Sequence, residues 1–210
     1  MKIIPQTKEE LIKIICETIK EKGWSADLNF IDTSRITDMA SLFSDNRYLE
    51  YNLGKFNGDI SEWDVSSVTN MSYMFLYNTA FNGDISKWDV SNVTKMRHMF
   101  GLAESFNQPL NNWNVHNVKD MNTMFQFAKS FNQPLNNWDV SNVKDVEGMF
   151  ECANSFNQDL DKWDLSNTKV INDMFNLAYN FKSKLPKFKN HTTTKGLLRK
   201  LGLPLNFKQI

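Results

Sequence analysis

One repeated pair of side chains in this sequence has the residue types of a catalytic or metal-binding site. A carboxylate, once replaced by an amide, is followed two residues later by a hydroxyl, once replaced by an imidazole. The first members are Asp64, Asp89, Asn114, Asp139 and Asp164, and the second are Ser66, Ser91, His116, Ser141 and Ser166. Such groups can supply a nucleophile with its base, or oxygen ligands for calcium. Catalysis needs one asymmetric arrangement, so the regular recurrence favours turns in which each carboxylate accepts local backbone hydrogen bonds.

The other side chains that could perform chemistry are scattered. His98, His116 and His191 do not have the spacing of a metal site, and Cys16 with Cys152 builds neither a disulfide framework nor a zinc site. The sequence also lacks a glycine-rich phosphate loop. We therefore predict that the protein is not an enzyme and that it uses no cofactor or metal.

The repeated pair belongs to a 25-residue unit that occurs five times without a gap. The copies begin at Phe56, Phe81, Phe106, Phe131 and Phe156. Each opens with Phe-Asn, has Trp at position eight and has Met-Phe at positions nineteen and twenty. A period of this length predicts a solenoid, in which stacked repeats bury a shared core. A degenerate sixth copy at residues 31–43 precedes them, followed by twelve residues where the other copies have five.

The spacing of apolar residues predicts the structure inside each copy. Trp at position eight and the aliphatic residue at position ten share one face of a short strand, and the acid between them points the other way. Positions thirteen, sixteen, nineteen and twenty have the intervals of a short helix or 3₁₀ turn. We therefore predict an α/β repeat solenoid with one short parallel β-strand and one short helix or 3₁₀ turn per copy. The Asn at position two is expected to hydrogen-bond the backbone of an adjacent copy.

The sequence outside the repeats predicts a cap at each end. Thr7 and Glu10 form a capping box, and an amphipathic helix follows that ends at Gly23. Mixed Lys and Glu on its polar face favour a lid on the first copy over a membrane anchor. We divide the chain into a capping helix (1–27), a repeat region of one degenerate and five full copies (28–180), and a partial repeat with a basic cap (181–210).

Charge and hydropathy limit the classes of function. The 210 residues hold 24 basic and 24 acidic side chains, but the last 30 residues hold eight of the basic ones and no acid. This basic end either docks an acidic neighbour, a phosphate-rich surface or the acidic side of another copy of the chain, or it keeps the cap soluble. We expect no transmembrane segment and, because no secretory signal is recognisable, a cytoplasmic chain as the sequence stands. We also expect no nucleic-acid partner, because the aromatic residues are assigned to the core.

The repeat FNxxLxxWDVSNVTxMxxMF resembles that of the BspA-like leucine-rich-repeat surface proteins, which also form arrays in mycoplasma lipoproteins. The resemblance covers about residues 28–188, where Trp-Asp-Val-Ser-Asn-Val and Met-Phe-x-x-Ala recur in phase. The segments KEEL and ADLNFIDTS are similar to the usual start of such arrays. The resemblance implies a leucine-rich-repeat-like architecture and a cell-surface protein that mediates adhesion or binds host or matrix proteins.

The candidate partner-binding surface is the face of the predicted strand. Glu62, Lys87, Asn112, Asn137 and Lys162 at position seven flank the acids of the repeated pair there. Tyr48 and Tyr51 of the insertion are candidate additional contacts. A competing surface consists of the variable positions fifteen, seventeen, eighteen, twenty-one and twenty-four, which include Arg97 and Glu147.

These observations predict a monomeric, non-catalytic scaffold that binds an unknown protein or surface ligand. The alternatives are a purely structural spacer, in which the number of repeats sets a length, and a protein that binds nucleic acid or an anionic surface through its basic end.

Overall fold

The structure is a computed structural model that describes residues 2–45, 52–189 and 195–207. In these ranges it contains two helices, α1 (Lys8–Lys22) and α2 (Lys195–Lys200). It contains no β-strand there, because the backbone pairing between copies is limited to isolated parallel bridges such as Lys95 with Asp120. The predicted α/β repeat solenoid, with a strand and a helix in every copy, is therefore wrong. Each 25-residue copy, which we call a coil, is built from tight turns, and successive coils stack on one another.

Turns on both sides shorten the segment that was predicted as a strand. In the coil that begins at Phe106, the Trp113 N–H donates to Leu110 O (3.0 Å) and the Val118 N–H donates to Val115 O (2.9 Å). The extended stretch between these turns is too short to form a ladder with the next coil. Trp113 and Val115 are nevertheless buried, and Asn114 between them is exposed. The period-two pattern thus predicted correctly which side chains face the core, although these residues do not form a β-strand.

Left-handed residues interrupt the segment that was predicted as a helix. Positions eighteen and twenty-two have positive φ in all five full coils, for example Thr123 (54°) and Phe127 (56°). A right-handed helix requires negative φ, so such a residue at every fourth position prevents it. The N–H groups between them close turns instead, as when the Met124 N–H donates to Met121 O (3.2 Å).

Four further N–H groups of this segment form a ladder of hydrogen bonds between coils. Positions sixteen, eighteen, twenty and twenty-two each donate to a carbonyl of the following coil, as Phe125 does to Met149 O (2.9 Å) and Phe127 to Glu151 O (2.8 Å). The same bonds join the degenerate coil to the first full coil, where Phe43 donates to Met74 O (2.8 Å). The donors at these four positions point toward the C-terminal neighbour, whereas the N–H at position fourteen points the other way, as Lys119 donates to Thr94 O (2.9 Å). At the four ladder positions, the N-terminal end of the stack therefore presents carbonyls and the C-terminal end presents N–H groups, and each end needs a cap.

A column of phenylalanine rings runs through the core. Phe125 at position twenty lies 4.1 Å, between ring centroids, from Phe131 at position one of the next coil. It also lies 5.5 Å from Phe100 and 5.7 Å from Phe150. The stacked rings continue from Phe43 at one end to Phe207 at the other. Because each ring contacts only rings of adjacent coils, the core is linear, without a single globular centre.

Two repeated polar groups fix the register between coils. Every Trp of the five full coils donates its indole N–H to a carbonyl of the preceding coil, as Trp113 does to Ile85 O (3.1 Å). The Asn at position two accepts the N–H of position two in the next coil, as Asn107 Oδ1 does from Asn132 (2.9 Å). The predicted hydrogen bond from this Asn to an adjacent backbone is thus confirmed, although these side chains are exposed or half-buried.

Helix α1 covers the N-terminal end of the stack. Thr7 caps it by accepting the Glu10 N–H (3.2 Å), while Glu10 accepts the Gln6 N–H (2.6 Å). Its face of Leu11, Ile15 and Ile19 is buried. Lys8 donates its ammonium group to Ala40 O (2.5 Å), a carbonyl of the first coil that no earlier coil can pair. The helix therefore supplies both apolar cover and a hydrogen-bond donor to the open end.

Helix α2 and the residues after it close the opposite end in part. Lys200 O and Leu201 O accept the N–H groups of Asp173 (2.8 Å) and Phe175 (2.9 Å), and Phe207 stacks on Phe181 at 6.0 Å. Leu197, Leu198 and Leu201 are buried against the last coil.

Candidate functional site

The five side chains predicted at position seven lie exposed along one side of the stack. Glu62, Lys87, Asn112, Asn137 and Lys162 form this set. Within the described residues, none of the five side chains makes a hydrogen bond or an ion pair. Three of the five backbone N–H groups are held by a side chain of the preceding coil: Glu62 donates to Asn29 Oδ1 (2.9 Å), Asn137 to Asn111 Oδ1 (3.0 Å) and Lys162 to Asn136 Oδ1 (3.1 Å). The set thus combines a backbone that is partly held in place with exposed side chains that can contact a partner.

The neighbouring acids are engaged in local turns, as predicted. In each pair the first residue accepts the N–H of the second, at 3.0 Å for Asp64, 3.0 Å for Asp89, 3.2 Å for Asn114, 3.1 Å for Asp139 and 2.9 Å for Asp164. The side chain and the backbone N–H of Ser91 lower the pKa of Asp89, and Ser166 does the same for Asp164. Among the described residues, no three potential metal ligands come together. The first oxygen of each side chain in the column therefore stabilises its turn, and the second oxygen of Asp139 contacts His116 of the preceding coil.

His116 replaces the serine of its pair and makes the one asymmetric contact in this column among the described coils. Its Nδ1 lies 2.7 Å from Asp139 Oδ2 in the next coil, and its Nε2 lies 3.2 Å from the amide nitrogen of Asn142. The side chains of His116 and Asp139 are both more than half exposed. A catalytic dyad needs a nucleophile at the second ring nitrogen, but here an amide occupies that place. The contact joins two coils and does not activate a hydroxyl.

The first two full coils contain a recess that the sequence did not reveal. Position three is Gly58 and Gly83 in these coils, whereas the next three coils have Gln at this position. There Gln108 and Gln158 fill the space by donating to the carbonyls of Asn82 (3.0 Å) and Asn132 (3.0 Å). A Cβ on Gly58 would lie 2.0 Å from Ala26 O, so the approach of the preceding backbone requires glycine. The result is a recess of about 460 Å³ lined in part by Asp59, Asp84 and Lys87.

Comparison with known proteins places the repeats in a family. The family model described as "Mycoplasma protein of unknown function, DUF285" matches residues 15–133 and, again, residues 85–188. The chain belongs to the DUF285 family. No curated protein and no solved structure matches the chain. The DUF285 matches begin within α1 and end at residue 188, so they include the position-seven side chains and the recess but not α2.

The remaining predicted contacts of this DUF285 chain are placed less favourably. Tyr48 and Tyr51 lie outside the described residues. The competing surface was expected to face solvent, but Asn122 at position seventeen and Thr123 at position eighteen are buried. Asn122 also donates to Asp145 (3.1 Å) and to Glu147 (3.3 Å) in the next coil. These polar side chains bind one another across coils, which leaves fewer of them available to a partner.

Neither helix of the described DUF285 chain is long and apolar enough to cross a membrane. This finding agrees, for the described residues, with the expectation that no helix spans a membrane.

The turns of the acid column provide a test at low pH. Substituting Asp89 by Ala removes the acceptor of the Ser91 N–H, and we expect a loss of about 1 kcal/mol in the free energy of unfolding at pH 7. Asp89→Asn keeps the acceptor, as Asn114 does in its own coil, and is expected to change that free energy by less than about 0.5 kcal/mol.

The pH dependence of the two variants follows from the lowered pKa of Asp89. Its folded pKa lies below the ordinary value of 3.8, so the carboxylate stabilises the fold above that pH and the contribution is lost as pH falls through the folded value. Urea unfolding at pH 7 and near pH 2 measures this. The wild type should lose more stability on acidification than Asp89→Asn. An equal loss in both proteins would show that the turn does not depend on the charge.

Proposed function

We propose that this protein is a non-catalytic scaffold that binds another protein or a surface ligand through the exposed side chains at position seven. The observation that carries the proposal is a column of five exposed side chains without a hydrogen bond or ion pair among the described residues, at Glu62, Lys87, Asn112, Asn137 and Lys162. The preceding coil holds the backbone N–H of three of them, Glu62, Asn137 and Lys162. Charge and hydrogen-bonding capacity vary along this column while the backbone spacing is constant. Such a surface can distinguish partners by their pattern of charge without any change in the fold.

The recess beside Lys87 marks where contact would be closest. Interfaces are strongest where a side chain of one partner fills a concave site on the other. Here Asp59 and Asp84 lie beside Lys87, so the recess offers both acceptors and a donor to an inserted polar or basic group. Asp59 and Asp84 remain ionised at neutral pH, because hydrogen bonds from Ser61 and Ser86 lower the pKa of each.

The repetition of the acid column supports the non-catalytic part of the proposal. Each exposed carboxylate is tied to its own turn, and the single deviation at His116 lacks a nucleophile at Nε2. The resemblance to BspA-like surface proteins, in which adhesion and binding of host or matrix proteins are proposed, favours the same class of function.

Charge reversal at position seven tests the proposal. The wild type, Lys87→Glu with Lys162→Glu, and Lys119→Glu with Lys144→Glu would each be used to capture partners from a lysate of the source cells. Lys119 and Lys144 are exposed at position fourteen, so they form a control with the same change of net charge. We expect the wild type to capture a stoichiometric partner, and only the Lys87/Lys162 variant to bind it more weakly, by about thirtyfold, since each of the two interfacial charges contributes about 1 kcal/mol.

Two outcomes of this experiment would contradict the proposal. Equal loss from both double variants would show a response to net charge alone. Capture of no specific partner by the wild type would favour the spacer, since a spacer needs only the complete interfaces between coils.

A further inference from the structure

The ladder of hydrogen bonds is incomplete at the C-terminal end of the stack. In the last full coil, Asp173 and Phe175 donate to the carbonyls of Lys200 and Leu201, but Leu177 at position twenty-two has no acceptor among the described residues. The equivalent N–H of Cys152 donates to Asn176 O (2.8 Å), and that of Phe127 donates to Glu151 O (2.8 Å). Among the described residues, two rungs of the ladder are therefore open, at Leu177 and at Ile171 of position sixteen, and of these Leu177 is the exposed one.

A carbonyl two residues later is open in the same way. At position twenty-four, Thr79 O accepts from the Ser105 hydroxyl (2.6 Å), Glu104 O from the Ser130 N–H (3.2 Å) and Asn154 O from the Asn180 amide (2.7 Å), whereas Lys129 O accepts no hydrogen bond among the described residues. Tyr179 is the last residue of this set, and within the described chain its carbonyl accepts no hydrogen bond. Leu177 and Tyr179 thus present a donor and an acceptor on one edge, as an edge strand does to an added segment.

An apolar cleft of about 880 Å³ lies along this edge. One wall consists of the last coil, in which the Leu177 and Tyr179 residues are 45% and 73% exposed. The other wall is the segment 202–207, in which the Phe207 N–H donates to Pro204 O (2.9 Å) as the Phe106 N–H does to Ala103 O (3.2 Å). Pro204 stands where coils two to five have a buried Ala, and proline has no N–H to donate. Phe207 therefore occupies the place of the first residue of a further coil, but the segment supplies no acceptor for the Leu177 N–H.

The positive charge around the cleft favours a negatively charged ligand. Lys182 lines the cleft, and residues 181–207 contain seven basic residues and no acid. Of these seven, Lys184 alone is seen in an ion pair within the described chain, with Asp159 at 3.4 Å and Asp161 at 3.8 Å. A second copy of the same basic end would be repelled, whereas an acidic segment would be attracted.

We propose that this cleft binds an acidic peptide segment in an extended conformation, which adds to the open edge as one further rung. A carbonyl of the segment accepts from the Leu177 N–H, a donor four residues later reaches Tyr179 O, and an apolar side chain between them fills the cleft. The proposal is independent of the surface at position seven. Residues 101–105 (Gly-Leu-Ala-Glu-Ser) are an example of such a segment within the chain. Gly101 O accepts from the Tyr77 N–H (2.9 Å), and the Ser105 hydroxyl, four residues later, donates to Thr79 O.

Two segments of the chain supply matched probes. Fluorescently labelled peptides with the sequences of residues 99–107 (MFGLAESFN) and 124–132 (MFQFAKSFN) come from the same repeat positions and differ in charge at position twenty-four. They differ also at positions twenty-one and twenty-two, so the first peptide with Glu104→Lys is included as the form that differs in charge alone. In anisotropy titrations with the full chain, the acidic peptide is expected to bind about three to fivefold more tightly, the range of one exposed ion pair. Lys182→Glu should abolish that preference.

Substitutions at position twenty-two locate the binding. Leu177→Asp places a charge in the cleft and is expected to weaken binding of the acidic peptide at least tenfold, by loss of apolar contact and by repulsion. Tyr77→Asp is the matched control, because Tyr77 is 49% exposed at the same repeat position but its N–H is already paired with Gly101 O. It should leave the binding unchanged.

Three results would overturn the proposal. These are equal binding of the two peptides to the wild type, equal effects of Leu177→Asp and Tyr77→Asp, and absence of binding by the acidic peptide at millimolar concentration. Sedimentation of the full chain identifies the rival occupant. A dimer that Leu177→Asp dissociates would assign the cleft to a second copy of the chain.

Discussion

Removal of residues 1–27 is expected to make the protein aggregate. The deletion takes away Leu11 and Ile15, which are fully buried, and each such side chain contributes about 1.5–3 kcal/mol. It also exposes Ile36, Met39 and Phe43 of the first coil and removes the Lys8 ammonium from Ala40 O. Size-exclusion chromatography and thermal unfolding of the shortened chain measure the effect. We expect soluble oligomers or precipitate, and a melting temperature at least roughly 10 °C lower where monomer can be recovered.

Deletion of one whole coil is the control for this experiment. Without residues 106–130, the donors of Met96 and Phe100 meet the carbonyls of Asp145 and Met149, which have the geometry of the removed Asp120 and Met124. Every remaining interface is matched, so this variant should stay monomeric although it loses nearly as many residues. A lidless protein that remains monomeric with unchanged melting would show that α1 has another role.

The direction of side chains could be predicted from the sequence, but the backbone conformation could not. Trp113 and Val115 are buried as their spacing predicted, because alternation depends only on an extended backbone. The interval of Val118, Met121 and Met124 predicted a helix, since sequence spacing records which residues face the core and not the sign of φ. Thr123 and Phe127 have φ near 55° without being glycine, and only Gly148 at the same position in the next coil hints at it.

These left-handed residues are stable because of the neighbouring coils. Isolated Thr or Phe residues disfavour positive φ by about 1–2 kcal/mol. In the stack, the Thr123 N–H donates to Glu147 O (2.7 Å) and the Phe127 N–H donates to Glu151 O (2.8 Å). Each bond joins residues of adjacent copies, so no rule based on local propensity within one copy predicts it.

The candidate site was predictable to a similar extent. The Asp-x-Ser spacing is local, so the turn and its hydrogen bond followed from the sequence alone. The recess at Gly58 and the open edge at Leu177 depend on what the adjacent coil supplies or lacks. A sequence alignment of the five copies shows the Gln that replaces Gly58 but does not show the space that the Gln fills.

Substitution of Phe125 by Ala should have the largest effect of any single change in the middle of the stack. The ring is fully buried and stacks on Phe131 at 4.1 Å and on Phe100 at 5.5 Å. Truncation of a buried Phe to Ala costs about 3–5 kcal/mol, because transfer energy is lost and a cavity remains. Chemical denaturation monitored by Trp fluorescence measures the free energy of unfolding. Since a domain has only about 5–15 kcal/mol in total, we expect a marginally stable protein.

Phe127→Ala in the same coil is the matched control. This ring is half-buried at position twenty-two and takes no part in the phenylalanine column, while its N–H still donates to Glu151 O after the substitution. We expect a loss of about 1 kcal/mol or less, in proportion to the smaller apolar area that it buries. Equal losses in the two variants would show that stability follows the number of rings and not their stacking. A loss for Phe125→Ala beyond the difference in buried apolar area, with a broader or two-step transition, would show that the linear column couples the coils, because a break at its centre separates the coils on either side.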